Sequence, residues 1–132
     1  MCAAGLANPA RSIENNDIDR CHAGLRGVVG SMLQAAFVRY FETLRPEIHA
    51  RFGPDYRTWH ATLNFARIVR NACAHGGTLN FNKPTSLGGS WRGITFNAPD
   101  HGHQILFNEV GPVELIVLMG EMDTVFHAVL GR

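Results

Sequence analysis

Residues 56–77 read YRTWHATLNFARIVRNACAHGG, and the spacing of their apolar positions decides the fold. Trp59, Leu63, Ala66, Val69, Arg70 and Cys73 share one helical face, while Phe65, Ile68 and Ala72 populate the neighbouring one. The pattern predicts a helix buried on more than one side. Asp55 is placed to cap its start, Gly76 to end it near His75 as a left-handed residue, and Gly77 makes continuation improbable.

Upstream, apolar residues from Ile18 through Cys21, Leu25, Val28, Val29, Met32, Leu33, Ala36, Phe37, Tyr40 and Phe41 to Leu44 recur at three- and four-residue steps. They predict a long helix with a broad buried face, capped by Asn16 or Asp17. Gly24, Gly27 and Gly30 lie nearly on one side of it and suggest close packing on another helix or a kink. Residues 1–15 lack periodicity and read as a flexible tail, leaving 16–132 as one domain. Pro46 is expected to start a separate short turn through Phe52, broken by Gly53 and Pro54.

Downstream the period shortens. Leu79 to Phe81, Trp91 to Phe96 and Gln104 to Phe107 read as short extended pieces, with Asn97 to Gly102 connecting the last two. Pro112 then opens a last helix, with a core stripe of Leu115, Leu118, Met119, Met122, Val125, Phe126 and Val129 before Gly131. The expected fold is all-α: an antiparallel bundle of three to four helices with a small extended or hairpin insert before the last helix.

Composition narrows the function classes. Twelve Lys and Arg against eleven Asp and Glu argue against a protein that grips long stretches of nucleic acid, though not against a nuclease that touches a few phosphates. Eleven of the twelve cations are arginine, the planar two-point donor for phosphate and carboxylate. Cys2, Cys21 and Cys73 are widely spaced and expected to be reduced thiols. The longest apolar run, Leu115 to Met119, is too short to span a bilayer, and the N-terminus does not read as a secretory signal. A cytoplasmic location without membrane attachment is the expectation.

Arg70, Asn71 and His75 bring a permanent cation, a carboxamide and an imidazole together at the helix end. Such a set can hold a phosphate and move a proton near neutral pH. Asn71 and His75 face nearly the same way, while Arg70 and His75 diverge by roughly 140° on an ideal helix. The divergence shrinks if the last turn unwinds at Gly76, or ceases to matter if two copies face each other across a two-fold axis. Cys73 is the rival nucleophile, but it falls on the apolar face. Glu14, Asp17, Asp19 and Glu42 are all candidates to pair with Arg70.

The run Arg-Asn-x-x-x-His-Gly over Arg70 to Gly76, between a long amphipathic helix and an irregular stretch, resembles the HEPN superfamily, the higher eukaryote and prokaryote nucleotide-binding domains. The likeness covers roughly residues 16–130. It implies a helical homodimer and a metal-independent endoribonuclease of toxin-antitoxin or defence systems, with Arg70, Asn71 and His75 as catalytic residues in a composite cleft. It implies RNA cleavage by 2′-hydroxyl attack, with no cofactor and no metal, and an antitoxin or regulatory protein as a partner. Members modified by a nucleotidyltransferase carry a tyrosine two residues after the histidine; here Gly77 stands there, which puts that modification in doubt.

The alternative is a non-catalytic HEPN-like module for dimerisation or partner binding. A metal-dependent hydrolase built on His101 and His103, with Asp100 beside them, is a third reading. Trp91 and Arg92 offer a stacking platform for a base, although Trp91 reads better as core.

Overall fold

The computed structural model describes residues 3–129, with side chains over 17–127. Helix α1 spans Ala3–Phe52, α2 Ala61–Ala74 and α3 Pro112–Val129, and strands β1 (Gly89–Trp91) and β2 (Ile94–Phe96) lie between α2 and α3. The described residues are thus mostly helical, with a two-stranded antiparallel hairpin before the last helix. The chain divides into two compact units, up to Met32 and from Leu33.

In the first unit the helix begins at Ala3, well before the expected cap at Asn16 or Asp17. Met1 and Cys2, in the expected tail, lie outside the described residues, as does Gly131 beyond α3. Ile18, Cys21, Leu25, Val28, Val29 and Met32 are exposed, so the broad buried face expected there is not formed by the described residues. Gly24 and Gly27 have open space around them instead of a packed helix, while Gly30 is buried.

The second unit holds the core. Phe37, Phe41 and Ile48 of α1 are fully buried, and Leu33, Tyr40 and Leu44 partly so. Pro46 does not start a new element, because α1 runs through it to Phe52. Proline in a helix interior costs about 3 kcal/mol. Keeping Phe41 and Ile48 on one buried face offsets that cost, and Pro46 itself lies on the exposed side.

The helix expected from Tyr56 breaks in two. Asp55 caps only a 3₁₀ turn, Tyr56–Thr58, its side chain accepting from the Arg57 N–H at 3.0 Å. Trp59 is extended there, buries its ring 6.3 Å from that of Phe41, and donates its indole N–H to the Gly53 carbonyl at 2.8 Å. His60 then caps α2, its Nδ1 accepting from the Thr62 N–H at 3.2 Å. Burial of α2 on more than one side holds, with Leu63 to Ala66, Ile68, Val69, Ala72 and Cys73 inside.

The expected extended piece over 91–96 folds back on itself, pairing Trp91 with Ile94 and Gly89 with Phe96. Arg92 and Gly93 both have positive φ, as a two-residue hairpin turn with the twist of the strands demands. Trp91 and Phe96 stack on Phe65 of α2, with ring centroids 5.5 and 5.6 Å away. Asn64, the one buried polar side chain among the described residues, donates to the Gly88 carbonyl at 2.9 Å and ties the hairpin to α2. A side chain at Gly89 would press on Asn64 and Ile68, so glycine permits this approach. Leu79 and residues 102–103 exchange backbone hydrogen bonds of 2.8 and 2.9 Å, closing the irregular stretch onto the end of α2.

Candidate functional site

The end of α2 is a backbone device before it is a chemical one. The Gly77 N–H reaches back to the Ala72 carbonyl at 2.8 Å and the His75 N–H to the same oxygen at 3.0 Å, with Gly76 and Gly77 at φ 71° and 93°. Such a reversal satisfies carbonyls that a helix end leaves open. It takes His75 out of the helix as the capping residue, so the last turn does unwind where the sequence suggested. Gly77 has φ 93°, which strains any residue with a side chain, and a Cβ there would press on Leu106 and the Gln104 carboxamide, so a tyrosine fits this position poorly.

His75 is exposed and oriented by two bonds. Its Nδ1 lies 2.7 Å from the Asn71 carbonyl oxygen, which can only accept, so Nδ1 carries the proton. In the neutral ring Nε2 is then the lone-pair nitrogen, and it accepts from the Asn80 carboxamide at 3.2 Å. That is the tautomer of a general base with its basic nitrogen turned to a polar neighbour. Asn80 was not a candidate from sequence, since its tie to His75 crosses an irregular turn without periodicity.

Asn71 links the imidazole to the guanidinium. Its side-chain oxygen accepts from Arg70 Nη1 at 3.3 Å while its main-chain oxygen holds His75. The structure therefore ties Arg70 to the side chain and His75 to the main chain of the same Asn71, with no hydrogen bond between guanidinium and imidazole among the described residues. Of the four acids considered for Arg70, Glu42 is the partner: its Oε1 lies 2.7 Å from Arg70 Nε. The Nε proton is not aligned on that oxygen, so the contact is a charge pair rather than a formed hydrogen bond. Arg45 takes both Glu42 oxygens, at 3.0 and 2.9 Å. The Arg45 hydrogen bonds, more than the charge of Arg70, hold the Glu42 carboxyl below its ordinary range.

Cys73 is buried, and burial pushes its thiol up to about 12. A thiol so rarely ionised is no nucleophile at neutral pH. His101 and His103 are occupied separately: His101 Nδ1 accepts from the Phe81 N–H at 3.0 Å, and His103 Nε2 lies 2.8 Å from Glu109. Among the described residues no three His, Cys, Asp or Glu side chains gather as a metal would need. Trp91 is core, with its indole N–H on Glu121, which also takes the Arg92 guanidinium. No helix among the described residues is long and apolar enough to cross a membrane.

Comparison with known proteins gives no match to a family model, to a curated protein or to a solved structure.

Proposed function

We propose that the chain is a HEPN-like endoribonuclease that cleaves RNA without a metal ion, its three helices arranged as a small antiparallel bundle. The observation that carries this reading is the succession of contacts from Glu42 to Arg70, Asn71 and His75, in which one asparagine holds both an acid-paired guanidinium and an imidazole of defined tautomer. In the reaction, His75 Nε2 takes the proton of a ribose 2′-hydroxyl as that oxygen bonds to phosphorus. The bond to the 5′-oxygen breaks, a second imidazole returns a proton to it, and a cyclic phosphate remains. Arg70 stabilises the charge that grows on the non-bridging oxygens.

One chain offers a single imidazole at this run, so the reading includes a homodimer whose second copy supplies the other. The exposed apolar residues Ile18, Leu25, Val28 and Met32 give such an assembly a surface to bury. The same face also favours a second reading, a non-catalytic module that binds an antitoxin or another protein. The test is incubation of the purified protein with single-stranded RNA in excess chelator. Fragments ending in 2′,3′-cyclic phosphate are expected. Cleavage only after a metal is restored would overturn the metal-free mechanism, and no cleavage in any condition would favour the module.

A further inference from the structure

A polar cleft of about 290 Å³ opens beside the His75 run. It is walled by Arg67 and Asn71 on α2, by Tyr56 of the 3₁₀ turn, and by Asn80, Asn82 and Lys83 of the following loop. Two of these residues belong to both features: Asn71 holds His75 through its main-chain carbonyl, and the Asn80 side chain donates to His75 Nε2. The cleft therefore shares two wall residues with the ring that would move the proton, although His75 itself is not part of the wall.

Its charge is one-sided. Arg57, Arg67 and Lys83 line it, and among the described residues no Asp or Glu does. Arg57 has Asp55 at 3.6 Å, while Arg67 and Lys83 have no carboxylate within ion-pair reach among the described residues. Arg67 is held instead by neutral groups: Nε and Nη2 donate to Asn64 Oδ1 at 3.1 and 3.0 Å, and Nη2 to the Leu87 carbonyl at 3.1 Å. Its guanidinium lies 3.9 Å from the Tyr56 ring centre. Burial without a compensating acid lowers its pKa. A cation fixed in this way is prepared for an anion from outside.

We propose that this cleft binds one nucleotide of single-stranded RNA adjoining the scissile phosphate. Arg67 and Lys83 take the phosphate, and the carboxamides of Asn80 and Asn82 meet the edge of the base. The volume stands at the low end for a ligand site, about 300 Å³, which suits one nucleotide and not a longer strand. The inference rests on the ribonuclease reading, because it uses the shared Asn71 and Asn80 to place that nucleotide beside His75.

The test measures binding of a short 2′-O-methylated RNA, which lacks the attacking hydroxyl, to the full chain and to Lys83→Ala, Asn82→Asp and His75→Ala. Lys83 and Asn82 are exposed, so both variants should fold. Lys83→Ala and Asn82→Asp should each weaken binding by about tenfold. Lys83→Ala should also reduce the slope of log affinity against log salt by about 0.7, the share of one phosphate on a single strand. His75→Ala, which removes no wall of the cleft, should weaken binding less than either cleft variant, and a larger loss than theirs would overturn the cleft. If the parent cleaves RNA while both cleft variants bind like it, the cleft is overturned and the ribonuclease reading stands. If both weaken binding and the parent cleaves nothing, the cleft stands and the catalytic reading falls. Failure of the parent to bind the probe, or equal displacement by an oligoglutamate peptide, overturns the cleft.

Discussion

Two histidine-bearing turns flank the same irregular stretch, and they differ in what each imidazole has left to offer. At residue 75 the ring donates Nδ1–H to the Asn71 main-chain carbonyl and turns its basic Nε2 to the Asn80 carboxamide, while the Asn71 side chain holds Arg70. At residue 101 the basic Nδ1 accepts the Phe81 N–H, and at residue 103 the ring is held by Glu109. A pair of histidines two residues apart looks richer in sequence than one histidine alone. The bonding reverses that order: His101 spends its basic nitrogen on closing a loop and His103 pairs with an acid of its own, so the two rings share no target. The basic nitrogen of His75 meets only a neutral carboxamide at 3.2 Å that a substrate hydroxyl can displace.

The largest effect should separate these turns. His75→Ala is expected to lower RNA cleavage by about 100- to 10,000-fold with the fold retained, since one general acid-base group contributes on that scale. His101→Ala should leave cleavage near the parent rate and lower stability by about 1 kcal/mol, through loss of its bond to the Phe81 N–H. Cleavage assays with denaturant unfolding decide the matter. Equal loss of activity in both variants would erase the distinction, and unfolding of His75→Ala would make His75 a structural cap.

The anchoring of Arg70 sharpens the comparison at the next level. Arg70→Lys should lose about 100-fold in cleavage, because an ammonium cannot hold Asn71 and a phosphate in one planar fork. Glu42→Gln should lose about 10- to 100-fold by letting the guanidinium drift. Glu42 also predicts an acid dependence. Its folded pKa is depressed, so its stabilising share is present above the ordinary glutamate value of about 4.3 and is lost as pH falls through the lower folded value. Denaturation of Glu42→Gln across that range should show a flatter acid limb than the parent, while an unchanged limb would mean that Glu42 carries no such linkage.

The linked run was legible because it is local. Asn71 and His75 are four residues apart, and the double glycine marks where the helix must end. Glu42 could be named only as one of four acids, since a contact across 28 residues of chain leaves no local signature (70 − 42). The cleft was invisible for the same reason: its walls come from a 3₁₀ turn, a helix face and an aperiodic loop. Periodicity found the helices but misjudged their limits. The uninterrupted α1 through Pro46 and the break at Trp59 are both decided by burial of large side chains, which overrides proline and capping rules. Periodicity also cannot say whether an apolar stripe is covered, and the stripe from Ile18 to Met32 is exposed in the described residues.

The smallest effect concerns Cys73, which sits between Asn71 and His75 in sequence yet apart from them in chemistry. Its side chain points into the core, and its thiol, pushed up to about 12, stays protonated through the neutral range. Iodoacetamide at neutral pH should label exposed Cys21 and spare Cys73 in the folded chain, as read by mass spectrometry of the digested protein. Cys73→Ser should keep cleavage within about twofold while losing about 1 to 3 kcal/mol of stability, because a hydroxyl replaces the sulfur in an apolar site. The two readouts must diverge for the assignment to hold. Rapid labelling of Cys73, or a folded Cys73→Ser protein without activity, would move the reactive atom from the imidazole to the sulfur and remove the reason for treating the His75 turn as the chemical one.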